Sequence, residues 1–292
     1  MGVAPLAPFV GQGRTMSPNL NPAALAFDAI ASEFDSRFGA WGSVAAQRRA
    51  VRAALLREFP AGGRILELGG GTGEDACFLA IRGFKTYLTD PSPAMVSIAA
   101  TKLSPLGGHA EIAAAEELED YAISKLSKGE TLFDGAFSNF APLNCVVDLD
   151  PVARGLARLL KPGAAAMLVL FGTLCPGEVV TEALLGRPHR ALRRLKSTKT
   201  PARLANHAFH VVYHRRSTLL RILAPWFVLE KRFGIGIAVP PSAAEPWITG
   251  QPQLLAAMEA IDKTISRPLA VFGDHVLYQF RRTSAPPPPV RT

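Results

Sequence analysis

Ile65-Leu66-Glu67-Leu68-Gly69-Gly70-Gly71-Thr72-Gly73, followed by Thr86-Tyr87-Leu88-Thr89-Asp90, reads as a strand, a glycine-rich turn leading into a helix, and a second strand that ends in an acid. Four glycines within five residues let the backbone turn tightly after the first strand. They also leave no side chain between that turn and a ligand. Asp90 follows Gly69 by twenty-one positions, about the distance at which an acid after the second strand of a doubly wound sheet reaches ribose hydroxyls. The spacing predicts a nucleoside cofactor.

Two cofactor classes compete for such a unit. A dinucleotide site wants G-x-G-x-x-G, so that a pyrophosphate rests on a helix N-terminus. Counting from Gly69 or Gly71, the third glycine is replaced by Glu74 or by Ala76, a tolerated substitute. Glu67 before the glycines and Glu74-Asp75 after them would repel a pyrophosphate. Carboxylates at the mouth of the turn suit a cationic ligand instead.

With these features the chain resembles the class I methyltransferases that use S-adenosylmethionine. Their first motif, similar to E-x-G-x-G-x-G, is matched from Glu67 to Gly73, and their second by Asp90 with Pro91-Ser92-Pro93-Ala94-Met95. Phe133-Asp134-Gly135-Ala136-Phe137-Ser138-Asn139 matches the fourth strand, and Leu156 to Ala164 leads into the fifth. The resemblance implies an α/β fold: a doubly wound, seven-stranded, mostly parallel Rossmann-like sheet with an antiparallel last strand and an inserted basic helical segment. It implies S-adenosylmethionine as cofactor. Glu67 and the backbone of Gly69, Gly70, Gly71 and Gly73 would hold its amino-acid part, and Asp90, followed by Pro91, its ribose. The family's acid after the third strand is replaced by Ala114, which leaves Glu116 as the candidate at the adenine end. Asn139 and Phe140 should border the methyl group.

Composition agrees with one compact domain plus an elaboration. The chain has 292 residues, 48% of them hydrophobic, enough for a sheet covered on both faces. No apolar run reaches the length of about eighteen residues needed to span a bilayer. The N-terminus lacks the order of charge, apolar core and cleavage site of a secretion signal, so cytoplasmic residence is expected. Cys77, Cys145 and Cys175 are odd in number and lack C-x-x-C spacing. That argues against a disulfide framework and a structural zinc site, and no metal is expected.

Charge is uneven along the chain. Residues 1–170 carry 15 basic and 17 acidic side chains, and residues 171–292 carry 17 and 7. The stretch from Arg187 to Arg221 holds ten Lys or Arg residues and no acid. Such a cluster attracts anions, whether a small molecule, a nucleic acid or an anionic membrane surface. Leu184, Leu185, Leu192 and Leu195 recur beside Arg187, Arg190, Arg193, Arg194 and Lys196, which predicts a basic amphipathic helix. Arg187, Arg190, Arg193 and Arg194 are the substrate candidates. Single-stranded nucleic acid also wants exposed aromatics. Only Phe209 and Tyr213 occur in the stretch, alternating with Val211 as in a half-buried strand. The Asn-Pro-Pro-aromatic signature of base-amine methyltransferases is also missing after the fourth strand, so nucleic acid is disfavoured.

The expected organisation is a mobile N-terminus over 1–21, N-terminal helices covering the cofactor over 22–60, and a cofactor-binding core over 61–172. A basic insert acting as substrate cap follows over 173–222, then the last two strands over 223–283 and a Pro-rich disordered tail over 284–292. Pro22 to Phe38 reads as one helix with Phe27, Ile30, Phe34 and Phe38 on one face. His275, at the start of the last strand, is the candidate general base. The expected activity is methyl transfer to oxygen or nitrogen of a small-molecule acceptor, anionic or lipid-like. A nucleic-acid or protein methyltransferase and a non-catalytic cofactor-binding module are the alternatives, and peripheral membrane contact stays open.

Overall fold

The computed structural model describes residues 21–187, 192–195 and 199–289. Five parallel strands carry the first half of the chain: β1 (Arg64–Leu68), β2 (Lys85–Asp90), β3 (His109–Ile112), β4 (Phe133–Ser138) and β5 (Leu160–Phe171). A separate antiparallel hairpin follows, β6 (Thr200–Leu204) and β7 (His207–Val211). The sheet is then completed by β8 (Phe227–Ile235) and β9 (His275–Arg282), giving the order β3-β2-β1-β4-β5-β9-β8. β9 runs antiparallel to both β5 and β8. The expected doubly wound, seven-stranded sheet with an antiparallel last strand is what the chain forms. That last strand lies inside the sheet, and β8 takes the edge.

Alternation along the strands sends side chains to two cores. Ile65 and Phe137 pack with Val51 and Leu55 on one face, while Leu66 and Ala136 pack with Leu156 on the other. The helices supplying these layers are α1 (Pro22–Asp28), α2 (Ala31–Gly39), α3 (Gly42–Glu58), α4 (Glu74–Ala80), α5 (Pro93–Leu103), α6 (Leu118–Ser127) and α7 (Asp150–Leu159). After β5 come α8 (Pro176–Leu184), α9 (Arg216–Leu223), α10 (Glu245–Ile248) and α11 (Pro252–Ile265). Ligands of such sheets bind beyond the carboxyl ends of the parallel strands, where the strand order reverses. Here that point lies between β1 and β4.

Several expectations are corrected. The single helix over Pro22–Phe38 is two, because the chain turns at Ala29–Ile30. Asp28 ends α1 by accepting from Ser92 Oγ (2.7 Å) and Ala94 N (2.9 Å), a tertiary bond that the local sequence does not announce. The insert is helical in α8 and α9, and the basic amphipathic helix expected from Leu184 onward lies partly outside the described residues, which show a break after α8. α8 stops at Leu184, Gly186 takes a left-handed φ of 70°, and Arg193–Leu195 is a single 3-10 turn. In the proline tail, Pro289 O accepts from Arg154 Nη2 of α7 at 2.7 Å. The N-terminus expected to be mobile lies outside the described residues except for Asn21, which caps α1. Among the described residues, no helix is long and apolar enough to cross a membrane.

Candidate active site

The glycine turn is tied to the end of β2, since Gly69 N and Gly70 N both donate to Thr89 O. A Cβ at Gly69 would stand 2.5 Å from Pro142, and Gly69 also has a φ of +66°, so only glycine fits there. Gly71 N donates to Asp90 Oδ2 and Ser92 N to Oδ1, both at 2.9 Å. Burial pushes the Asp90 carboxyl up, those two N–H groups hold it down, and Asp28 nearby raises it again. Each Asp90 oxygen retains acceptor capacity toward a hydroxyl.

Glu67 is buried at the end of β1, and its Oε2 has no hydrogen-bond partner among the described residues. Burial, and secondarily the charge of Asp75, push its carboxyl well above the usual range against the pull of Arg48 and Arg52. The other acids at the turn are already paired, which corrects the expectation that they await a cation. Asp75 accepts from Arg48 (3.2 Å), Arg52 (2.6 Å) and Asn139 Nδ2 (2.8 Å). Glu74 pairs with Lys102 at 2.9 Å. Glu67 therefore carries the local demand for a cationic partner alone.

Past β4, Phe140 and Ala141 both take left-handed φ values, 58° and 61°. Two consecutive non-glycine residues in that region cost on the order of 1–3 kcal/mol each and are concentrated at functional sites. Asn139 Oδ1 accepts from Phe140 N at 2.8 Å and helps hold the turn. The Arg48 guanidinium lies 4.7 Å from the Phe140 ring centre.

These residues line one cavity of about 450 Å³, within the span of roughly 300–1,000 Å³ typical of small-molecule sites. Glu67, Gly69, Gly70, Gly71, Asp90, Pro91 and Glu116 border it on the β1–β3 side. Glu116 accepts from Asn21 Nδ2 at 2.6 Å. On the β5–β9 side stand Phe171, Asp274 and His275, and Phe209 enters from β7 with its ring 6.1 Å from that of Phe27. Phe27, Phe34 and Phe38 from α1 and α2 line it together with Trp41. Gly73 does not border the cavity. It takes a φ of +84°, and a Cβ there would meet Ala99 at 3.1 Å.

His275 reaches the cavity because β9 is antiparallel: its first residue pairs with Phe171, the last of β5. The imidazole stacks on Phe171 with centroids 4.9 Å apart and meets Phe140 edge-on at 5.9 Å. Its Nδ1 lies 3.4 Å from Asp274 Oδ2. Burial would raise the Asp274 carboxyl, but its contacts with His275 and Arg194 overcome that and hold it far below the usual range.

Among the described residues the substrate arginines do not form an open patch. Arg194 is buried, donating to Asp274 Oδ1 (2.6 Å) and Asp274 O (2.6 Å) and pairing with Glu178 Oε2. Arg193 pairs with Glu178 at 2.7 Å. Both line the cavity but are neutralised by acids lying outside the basic stretch. Arg187 is exposed and does not line it, and Arg190 lies outside the described residues.

Among the described residues no cluster of His, Cys, Asp and Glu is arranged to hold a metal. Burial pushes the thiols of Cys145 and Cys175 up to about 12 and about 11, so neither is a nucleophile near neutrality. Arg48 was missed by sequence reasoning. It lines the cavity beside Glu67, on a helix that only tertiary folding brings there.

A family model described as a methyltransferase domain matches residues 43–224, more than half of the chain. The chain belongs to that family and is an S-adenosylmethionine-dependent methyltransferase. Among solved structures it is similar to the CcbJ methyltransferase from Streptomyces caelestis, at 17% identity and a TM-score of 0.55, covering 89% of this chain and 98% of that one. It is also similar to an S-adenosylmethionine-dependent methyltransferase from Mesorhizobium loti (21%, TM-score 0.50, covering 81% and 98%). A third is a TehB-like methyltransferase from Corynebacterium glutamicum (14%, TM-score 0.50, covering 87% and 99%). At these identities the likeness is one of fold. No curated protein matches the sequence.

Proposed function

We propose that this methyltransferase alkylates an oxygen or nitrogen of a small, largely apolar acceptor held in the same cavity as the cofactor. The observation that carries this reading is the continuity of that cavity, with the glycine turn on one side and His275 against Phe171 and Phe140 on the other. A non-catalytic module would be sealed at the methyl. A nucleic-acid enzyme would present its arginines in an open groove, whereas Arg194 here is buried against two carboxylates.

The residues fit the cofactor. The unpartnered Glu67 Oε2 suits its ammonium, Arg48 its carboxylate, Asp90 its ribose hydroxyls, and Glu116 the adenine end. When bound, the sulfonium supplies an already activated methyl, so the protein's part is alignment and exclusion of water. The strained turn at Phe140–Ala141 fixes the wall between donor and acceptor. His275, oriented by Asp274, accepts the acceptor's proton. Because Arg193 and Arg194 are neutralised within the cavity wall, the acceptor's recognition rests on the aromatic side chains rather than on an anionic group.

Titration calorimetry of the wild type and of Asp90→Ala with S-adenosylmethionine and S-adenosylhomocysteine tests the cofactor half. Loss of one buried hydroxyl contact should weaken both ligands about tenfold or more. Equal affinity in the variant would remove Asp90 from the site.

A further inference from the structure

Helix α8 is amphipathic the wrong way round for a surface helix. Glu178 and Glu182, one turn apart, are 2% and 4% exposed, whereas Val180 and Leu184, also one turn apart, are 58% and 84% exposed. A surface helix normally turns its apolar stripe inward. The inversion has a cause on the inner side: Glu178 lines the cavity and neutralises Arg193 and Arg194. That requirement leaves the outer face unexplained.

The apolar surface does not stop at the helix. Leu185 follows it, and Leu192 and Leu195 flank the two inward-pointing arginines, at 49%, 55% and 52% exposure. Five aliphatic side chains are thus exposed on α8 and the turn that packs on its first residues. Exposed clusters of this kind mark docking sites, whereas single exposed leucines do not. Cations flank them: Arg187 and Lys199 are exposed beside the two segments. The acids of α8 are buried on the other side, Glu178 in ion pairs with Arg193 and Arg194.

We infer that this back wall of the cavity docks on an anionic lipid bilayer, with Val180, Leu184, Leu185, Leu192 and Leu195 entering the interface. Two features select the bilayer over a protein. Arg187 and Lys199 are exposed beside the leucines while Glu178 and Glu182 are buried, so the described charges of this face are cationic and complement anionic headgroups. The exposed side chains are Leu and Val, types under-represented among protein hot spots, where Trp and Tyr predominate. The inference stands apart from the acceptor reading, because it uses only the outer surface.

Vesicle flotation of the full chain tests it, with phosphatidylcholine vesicles and with vesicles that also contain phosphatidylglycerol. The wild type should float with the anionic vesicles and less with the neutral ones. Val180→Glu with Leu184→Glu should lower the floated fraction about tenfold or more, since two aliphatics that would enter the bilayer become charges facing headgroups of like sign. Both positions are exposed and outside the cavity, so calorimetry with S-adenosylmethionine should give the wild-type affinity and certify the fold. No flotation of the wild type, or flotation unchanged in the variant, overturns the inference. Wild-type self-association that the variant abolishes, without vesicle binding, would also overturn it and assign the face to a second copy of the chain.

Discussion

At the scale of single residues, Glu67 is the group whose chemistry most constrains the site. A carboxyl held above its ordinary value, about 4.3, favours the folded state at pH below that value and loses its contribution as pH rises through the folded value. The empty protein near neutrality therefore carries an unsatisfied buried carboxyl. A cationic ligand prefers the carboxylate, so binding of S-adenosylmethionine should release a proton in the window between the two values and weaken as pH falls through it. Calorimetry in buffers of differing ionisation enthalpy reads this directly. Glu67→Gln never ionises, and two opposite effects are expected. Cofactor affinity should fall about tenfold with loss of a charged contact. The empty variant should unfold roughly 2–4 °C higher per kcal/mol of relieved cost, a shift that differential scanning calorimetry resolves. That Glu67, Gly69, Gly70, Gly71 and Asp90 meet at one cavity was legible in the sequence because they are local to one strand-turn-strand unit. Arg48 was not, because nothing nearby in sequence ties α3 to that turn.

At the scale of elements, the strands of the sheet were legible wherever burial on both faces left continuous apolar runs, as in Ala164 to Leu170. The hairpin β6–β7 was half legible. The alternation around Phe209 gave β7, but its partner Thr200–Leu204 has no buried residue to announce it. Its turn places Ala205 and Asn206 at φ values of 46° and 65°, and alanine there does not signal such a turn as glycine would. The basic segment misled for a related reason: its acids, Glu178 and Asp274, come from α8 and from the residue before β9. Arg194→Met should leave those two buried carboxylates facing each other, at a cost of roughly 3–5 kcal/mol. Arg187→Glu, on an exposed residue, should cost within about 0.5 kcal/mol. Urea denaturation separates the two outcomes, and similar losses would restore the view of a solvated basic face. Acid adds a check with a definite sign. Asp274 is held low, so its contribution is complete above the ordinary aspartate value, about 3.9, and drains as pH falls below it. In Arg194→Met that acid-side loss should shrink.

At the scale of the whole molecule, chain order and spatial order diverge at the last strand, and the divergence couples fold to site. β9 pairs with β5 from Ala165↔Arg281 to Phe171↔His275 and with β8 along its other side. Leu277 and Phe280 are among its fully buried side chains. A terminal strand at the edge of a sheet can fray at little cost, but removing an interior one opens two unpaired edges and both cores. It also removes His275 from the cavity. Every residue proposed to hold the cofactor lies between Arg48 and Phe140, so a chain stopped after Gly273 retains all of them in sequence. We expect it to lose cooperative unfolding and cofactor affinity together, read by circular dichroism melting and by calorimetry with S-adenosylhomocysteine. A chain stopped after Ala285 spares every pair of β9 and should keep both. If the shorter chain still bound the cofactor at wild-type affinity, β1 to β5 would be a self-sufficient unit, and β9 would serve only to deliver His275.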